Sequence, residues 1–581
     1  MERIAWGILG TGKIAERFAD QLGASESGRL AGVASRASAR ATAFAHRHDN
    51  GTGAVRAFGS YAELLDDPGI DAVYIATPHT EHLRLAVSAA EAGKHVLCEK
   101  PLAVNHAGVM LAVEAARRAG VYLAEGYMYR FHPQTERLVE LVRSGAIGAV
   151  QHIEASFAVS IELPRQRLAD PDLAGGAILD LGGYPVSMAR LLAGAAVGEP
   201  FAEPVDFTAA GSIGETGVDE WATASLTFAS GVTAHVTTGI KVADDNRVVV
   251  SGAGGRIVVS QPWLPDPEAG STIDVFRVDG THESIPVPGA AQYALEADAV
   301  AAFAGEGQAP AMGLADSLGN AAVLDRWRAA LGLEYPFERA TAHVATATGR
   351  ALAPRPEHPM PTGRIPGVDR DISRLVMGCD NQRTLPHASA MFDDFFERGG
   401  NAFDTAYHYA GGLMERLVGR WITNRGIRDD VVIIGKGAHT PHCDPESITR
   451  QLFESLDRLQ TDHVDVYFMH RDNPDVPVGE FVDVLNEHVE AGRIGAFGGS
   501  NWTIARIDEA NAYAAVGGKR GFAAVSNHFG LAHALDVPWP GCEHVTDDAS
   551  RQWFERNDMP WTEDDGSLAI PARTWASAAT G

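Results

Sequence analysis

The stretch Ile8–Ala15, ILGTGKIA, ends a short apolar run, Ile4–Leu9, and opens a helical pattern, Ile14–Leu22. It sets Gly10, Gly12 and Ala15 as a GxGxxA turn between strand and helix. Glycines let that turn be tight and let the backbone approach a pyrophosphate, which the helix N-terminus then receives. The turn therefore predicts a dinucleotide held by Gly10, Gly12, Lys13 and Ile14. The flanking text agrees. Further strand patterns at Leu30–Ser35, Ala72–Ala76, His95–Cys98 and Val121–Ala124 alternate with helical ones at Glu81–Ala92 and Val109–Ala119. Such alternation specifies a parallel sheet covered by helices, an α/β Rossmann domain over residues 1–125.

The end of the second strand selects the cofactor. An NAD site places an acid there for the ribose 2′-hydroxyl. No Asp or Glu occurs between Ser27 and His48, whereas Ser35, Arg36 and Arg40 do. A hydroxyl and two guanidiniums suit a 2′-phosphate, which predicts NADP(H). Read as structure alone, the two arginines are solvated residues at a helix start.

Three further motifs sit where ligands bind in such sheets. ATPH supplies Thr77, Pro78 and His79, with His82 beyond it, and CEKP supplies Glu99, Lys100 and Pro101. Both close a strand at its C-terminal end. The run GGAILDLGGYPVSMAR holds Asp180 and Tyr184 four residues apart, a spacing that predicts one helix face. Together with EGYMYRFHPQ, Glu125–Gln134, these motifs make residues 1–340 resemble the glucose–fructose oxidoreductase/inositol dehydrogenase (Gfo/Idh/MocA) family. The dihydrodiol and NADP-dependent D-xylose dehydrogenase branch is the nearest in pattern, since it carries Tyr where many members have His. The resemblance implies hydride transfer between a sugar or diol hydroxyl and the nicotinamide, with Lys100 and Tyr184 on the proton path. An adjacent ammonium lowers a phenol's pKa, so a tyrosinate base is expected, with Asp180 orienting the pair or a substrate hydroxyl.

After about residue 150 longer alternating strands, Ala222–Phe228, Val232–Ile240, Arg247–Ser251 and Arg256–Ser260, predict an α+β domain with a mainly antiparallel sheet over 126–340. The Pro- and Ala-rich stretch 341–365 reads as a linker. Strand–helix alternation then resumes at Leu375–Met377 and runs through Val431–Ile434, Val464–Met469, Ile494–Gly498 and Ala523–Val525, the rhythm of a (β/α)8 TIM-type barrel over 366–581. FDTAYHYAGGLMERLVG (Phe403–Gly419), IIGKGAH (Ile433–His439), DVYFMHRDNP (Asp465–Pro474), GGSNW (Gly498–Trp502) and VSNHF (Val525–Phe529) resemble aldo-keto reductases. The resemblance implies a tetrad of Asp404, Tyr409, Lys436 and His470, with Tyr409 as general acid, and Ser500 and Asn501 on the nicotinamide carboxamide. Beyond Met559–Trp561 the text TEDDGSLAIPARTWASAATG shows no strand or helix period. The expected barrel is thus incomplete, its cofactor site unfinished and its tetrad silent.

Composition bounds the partners. A chain of 581 residues needs more than one core. Its net charge of −27 disfavours nucleic acid or an anionic membrane, since both require a basic face. Only six of the 48 basic side chains are lysines, which draws notice to Lys100 and Lys436. Cys98, Cys379, Cys443 and Cys542 lack metal spacing, so no structural metal and a reducing, cytoplasmic setting are expected. The expected partner is a small sugar or diol, and the family resemblance implies a homo-oligomer. Two other readings stand: a bifunctional reductase using both halves, and a non-catalytic nucleotide- or sugar-binding scaffold.

Overall fold

Six strands, β1 (Ile4–Leu9), β2 (Gly28–Ala34), β3 (Arg56–Phe58), β4 (Ala72–Ile75), β5 (His95–Glu99) and β6 (Leu123–Gly126), pair in parallel in the order β3-β2-β1-β4-β5-β6. The central strands are covered on both faces and so are apolar throughout. Helices Lys13–Leu22 and Gln292–Phe303 lie on one face, where Phe18 stacks on Tyr74 with ring centroids 3.9 Å apart. Helices His79–Glu91 and His106–Ala119 cover the other, against Leu9, Val73, Ile75 and Val96. The latter starts three residues before the expected Val109, because Asn105 caps it, its side chain accepting from the Gly108 amide at 2.9 Å. Strand order reverses between β1 and β4, which opens a crevice at their C-terminal ends.

These coordinates come from a computed structural model describing residues 3–49, 54–161, 167–346, 348–355, 360–528, 540–545, 547–562 and 568–569. The chain divides into two units, Met1–Phe337 and Glu338–Gly581. The first contains a second sheet: β7 (Val150–Ala158), β8 (Pro204–Ile213), β9 (Asp219–Phe228), β10 (Thr233–Gly239), β11 (Val248–Gly252), β12 (Gly255–Val259), β13 (Ser271–Arg277) and β14 (His282–Val287). Its order is β14-β13-β12-β11-β7-β10-β9-β8, antiparallel except for the parallel pair β7–β10. Ala222, Ala224, Leu226 and Phe228 alternate inward along β9, onto the wholly buried helix Gly183–Ala195 and the helix Leu314–Ala330.

One core residue does not fit an apolar interior. Glu296, on the helix Gln292–Phe303, is 1% exposed, and among the described residues neither carboxyl oxygen has a hydrogen-bond partner. Burial and the nearby Glu99 push its pKa well above the usual carboxylate range. An acid raised in the folded state contributes stability that is complete below the unfolded pKa and is lost as pH rises through the folded one. Glu296→Gln keeps the shape and cannot ionise. It is expected to raise Tm increasingly from pH 5 to pH 9, and a pH-independent difference from the parent in thermal melts would refute this account.

In the second unit a hairpin, β15 (Thr362–Gly363) with β16 (Ile372–Ser373), precedes a sheet in strict sequence order. That sheet is β17 (Val376–Gly378), β18 (Ala402–Asp404), β19 (Val432–Gly437), β20 (Val464–Met469), β21 (Ile494–Ser500), β22 (Ala524–Ser526), β23 (Trp561–Thr562) and β24 (Leu568–Ala569). Val432, Ile434, Val466, Phe468 and Ala524 fill its inner side, and Phe403, Ile433, Tyr467 and Phe497 face the helices. The pairing is parallel through β23, and β23–β24 is antiparallel. Among the described residues no ladder returns from β24 to β17, so the barrel is incomplete.

Two expectations change here. The tail, read as devoid of strand, supplies β24, a two-residue pairing too short to leave a period in the text. The residues after Ala569 lie outside the described ones. The stretch read as a linker lies along the barrel: Ala342 and Val344 carbonyls accept from Asn424 and Arg425, and Arg355 pairs with Glu397 at 2.7 Å. Its contacts mix backbone carbonyls with isolated side chains such as Arg355, which leave no apolar period in the text. No helix among the described residues is long and apolar enough to cross a membrane. All four cysteines are buried, and no group of metal-holding side chains occurs among the described residues.

Candidate active sites

At the crevice of the first unit Gly10 has φ +115°, and a Cβ there would lie 2.6 Å from the Ala76 carbonyl oxygen, so only glycine fits. Gly12 caps the helix Lys13–Leu22 with no side-chain partner, and a Cβ there would meet nothing within 4 Å. Exposed Lys13 and half-buried Ile14 follow at that N-terminus. Opposite, the Thr77 hydroxyl is buried without a hydrogen-bond partner among the described residues. An open glycine cradle, an uncapped helix end and an orphaned hydroxyl fit a dinucleotide pyrophosphate. At the end of β2, Ser35 is buried, its hydroxyl accepting from the Ala37 amide at 3.3 Å, while Arg36 and Arg40 are exposed.

The loops after β4 and β5 are tied by His82, whose ring nitrogens lie 2.7 Å from the Pro101 carbonyl oxygen and 2.8 Å from that of Thr77. Burial pushes this imidazole down to about 4. Pro78 caps the helix that begins at His79. His79 reaches the Ala174 carbonyl and Arg167, with its Nε2 3.6 Å from Asp180 Oδ1. Glu99 accepts from the Tyr74 hydroxyl, and burial raises its carboxyl.

Lys100, Asp180 and Tyr184 come together. Lys100 Nζ donates to the Asp180 backbone carbonyl at 2.6 Å, stands 3.7 Å from Asp180 Oδ1, and lies 5.4 Å from the Tyr184 ring centroid. Burial alone would raise the Asp180 carboxyl, but the Lys100 and Arg167 charges hold it below the usual carboxylate range. The two residues are not on one regular α-helix: Ile178–Gly182 is a π-turn and the α-helix begins at Gly183, yet both side chains reach Lys100. The Asp219 carboxylate accepts from the Ile178 amide at 2.7 Å and caps this turn.

Tyr184 also departs from expectation. It is 4% exposed among Tyr127, Tyr129, Phe157 and Trp263, and its hydroxyl donates to Met128 Sδ at 3.5 Å. Burial, with Tyr293 and Glu99, pushes the phenol well above its ordinary pKa, so it is held neutral and not as a tyrosinate. The Lys100 charge does not offset desolvation. Arg167, bonded to Asp180 at 2.6 Å, and Trp263 were missed from sequence. Of the lining, only the aromatic run Tyr127–Tyr129 carried a signal, through its motif.

The barrel brings its own set to the C-terminal strand ends. Asp404, closing β18, forms a buried ion pair with Lys436 on β19. Lys436 Nζ lies 5.7 Å from the Tyr409 ring, and the Tyr409 and His470 centroids are 5.8 Å apart. Burial and Lys436 hold His470 well below the ordinary histidine range, which leaves it neutral. His408 and His439, absent from the expected tetrad, pack within 4.7 and 5.2 Å of His470 on the wall of a cavity of about 790 Å³. Ser500 is buried, and Asn501, at φ +55°, donates to its hydroxyl at 3.0 Å while accepting from the Glu543 amide.

Known proteins divide the chain the same way. Residues 4–127 match the oxidoreductase family with an NAD-binding Rossmann fold, 135–258 the GFO/IDH/MocA C-terminal domain, and 377–536 the aldo/keto reductase family. Mouse trans-1,2-dihydrobenzene-1,2-diol dehydrogenase is 33% identical over 350 residues, which span 58% of this chain and 99% of the relative. D-xylose 1-dehydrogenase (NADP(+)) 2 of Haloferax volcanii is 34% identical over 323 residues, 55% of this chain and 95% of that one. The structure of KijD10, a 3-ketoreductase from Actinomadura kijaniata in complex with NADP and TDP-benzene, aligns with TM-score 0.51 and 29% identity over 57% of this chain and 98% of its own. The protein thus belongs, through its first unit, to the Gfo/Idh/MocA family of oxidoreductases, and its second unit carries the match to aldo/keto reductases.

Proposed function

We propose that the first unit is an NADP(H)-dependent dehydrogenase of sugar or diol hydroxyls, with an aldose such as D-xylose as substrate. The observation that carries the reading is the convergence of Lys100, Asp180 and Tyr184 beside the Gly10–Gly12 cradle. Bound NADP⁺ would supply the hydride acceptor, held by Gly10, Gly12, Lys13, Ile14 and Thr77 at the pyrophosphate and by Ser35, Arg36 and Arg40 at the 2′-phosphate. In the carbonyl-reducing direction the neutral Tyr184 phenol gives its proton to the substrate oxygen while the Lys100 ammonium stabilises the negative charge developing there. In the oxidising direction the phenol first releases its proton to solvent, and the tyrosinate so formed takes the hydroxyl proton. Asp180, kept ionised, orients Lys100 and accepts from a substrate hydroxyl. Reduction of NADP⁺ across a panel of aldoses and diols tests the activity on the full chain.

Cofactor choice has its own test. Arg36→Asp places a carboxylate where a 2′-phosphate would lie, so the NADP⁺ dissociation constant should rise about tenfold or more, with NAD⁺ use improved. An unchanged NADP⁺/NAD⁺ ratio by fluorescence titration would relocate the 2′-phosphate site.

The barrel supports a second reading, that its tetrad is assembled but silent. Its last two described strands are two residues long and end in an antiparallel pair, which is not the frame on which a parallel barrel mounts its later ligand loops. Tyr409→Phe in the full chain is then expected to leave all NADP(H)-linked turnover, aldehyde reduction included, at the parent level. A selective loss of aldehyde reduction would show a working second site.

A further inference from the structure

Arg167 opens the short turn Arg167–Ala169 and is about one-third exposed. Its Nη2 donates to Asp180 Oδ1 at 2.6 Å and its Nη1 to His79 Nε2 at 2.8 Å. A guanidinium only donates, so His79 Nε2 presents a lone pair and its proton sits on Nδ1, 3.3 Å from the Ala174 carbonyl oxygen. His79 is thereby neutral, as its burial also requires. Two cations, Lys100 and Arg167, thus share one carboxylate, and the nearer contact belongs to Arg167. Lys100 Nζ is left bonded to the Asp180 backbone oxygen, with the carboxylate 3.7 Å away. The other titratable groups around Lys100 are buried Glu99, the neutral imidazoles of His79 and His82, and the Tyr184 phenol. None of them competes for Asp180 as Arg167 does.

We infer that Arg167 is a positioning residue: by holding the Asp180 carboxylate it prevents a contact ion pair with Lys100 and sets the pH at which Lys100 exchanges its proton. Without Arg167 the carboxylate closes on Lys100, the charged ammonium is favoured, and deprotonation moves to higher pH. The consequence for turnover rests on the dehydrogenase reading above, but the titration of Lys100 does not.

The full chain has six lysines, so ¹⁵N-lysine labelling gives six Nζ signals, and Lys100→Met identifies the one that matters. Arg167→Met is expected to raise the Lys100 titration midpoint by about one pH unit over the parent, the usual effect of a neighbouring charge. Arg167→Lys should restore most of the difference. In an Asp180→Asn background, Arg167→Met should raise the midpoint less, because only the direct repulsion between the two cations is then relieved and the carboxylate contribution is gone. The falling limb of the pH–kcat profile for aldose oxidation, where the Lys100 ammonium is lost, should move to higher pH with the titration in Arg167→Met. A midpoint that stays or falls in Arg167→Met, or that rises equally in the Asp180→Asn background, overturns the inference. Absence of turnover with every aldose and diol would overturn only the dehydrogenase reading, since the Lys100 titration is read without substrate.

Discussion

Tyr184→Phe is expected to lower NADP⁺-linked oxidation of an aldose or diol by about 10²–10⁴-fold, the usual contribution of a positioned acid–base group. The change removes one hydroxyl whose protein partner is the Met128 sulfur at 3.5 Å, a weak acceptor. The four aromatic rings around Tyr184 still pack on the phenyl ring, so Tm and cofactor affinity should hold. The loss should fall on kcat with little change in cofactor binding. Lys100→Met should produce a comparable loss, because the ammonium is the cation nearest the developing oxyanion. Steady-state kinetics with NADP⁺ titrations separate the two effects. A Phe variant within a few-fold of the parent would move the proton-transfer role to another group.

The second large effect concerns the core of the first unit. Asp316→Ala is expected to destabilise it by about 3–5 kcal/mol, the cost of stranding a buried charge. Asp316 Oδ2 accepts from Arg130 at 2.7 Å and its Oδ1 from Arg190 at 2.5 Å, with all three side chains 3% exposed or less. Without the carboxylate, Arg130 keeps Ser187 and Arg190 keeps Glu203, a residue half in water. Arg130 would then keep a hydroxyl where it had a carboxylate, and Arg190 would rely on the half-exposed Glu203. Against a typical total of about 5–15 kcal/mol the loss is large, and it should lower this unit's calorimetric Tm on the order of 10 °C. Asp316→Asn, which keeps an acceptor and loses the charge, should fall between. A drop below about 1 kcal/mol in Asp316→Ala would show that Ser187 and Glu203 suffice for the two arginines.

Where signals are local, the sequence was readable. Gly10, Gly12 and Ala15 act within one turn, so their spacing alone predicts the cradle that the backbone forms. Strand ends were legible as well, since β-branched runs stop at turn residues, and these placed Lys100, Asp404, Lys436 and His470 at C-terminal ends of their sheets. The parallel pair β7–β10 was not legible, because alternation marks a half-buried strand without naming its partner. The π-turn that holds Asp180 was not legible either, because its amide at Ile178 is bonded by Asp219, 41 residues onward.

The amino-acid sequence by itself determined the two-part architecture, the phosphate turn and which side chains could do chemistry, because these follow from short-range spacing and residue type. Only the tertiary structure decided how those side chains are charged and shared. Arg167 reaches Asp180 from a segment with no motif, Asp316 joins two arginines from distant helices, and the cage around Tyr184 keeps its phenol neutral despite the ammonium beside it. Burial and charge pairing depend on every neighbour in space, and desolvation outweighs one nearby charge when the group is wholly enclosed.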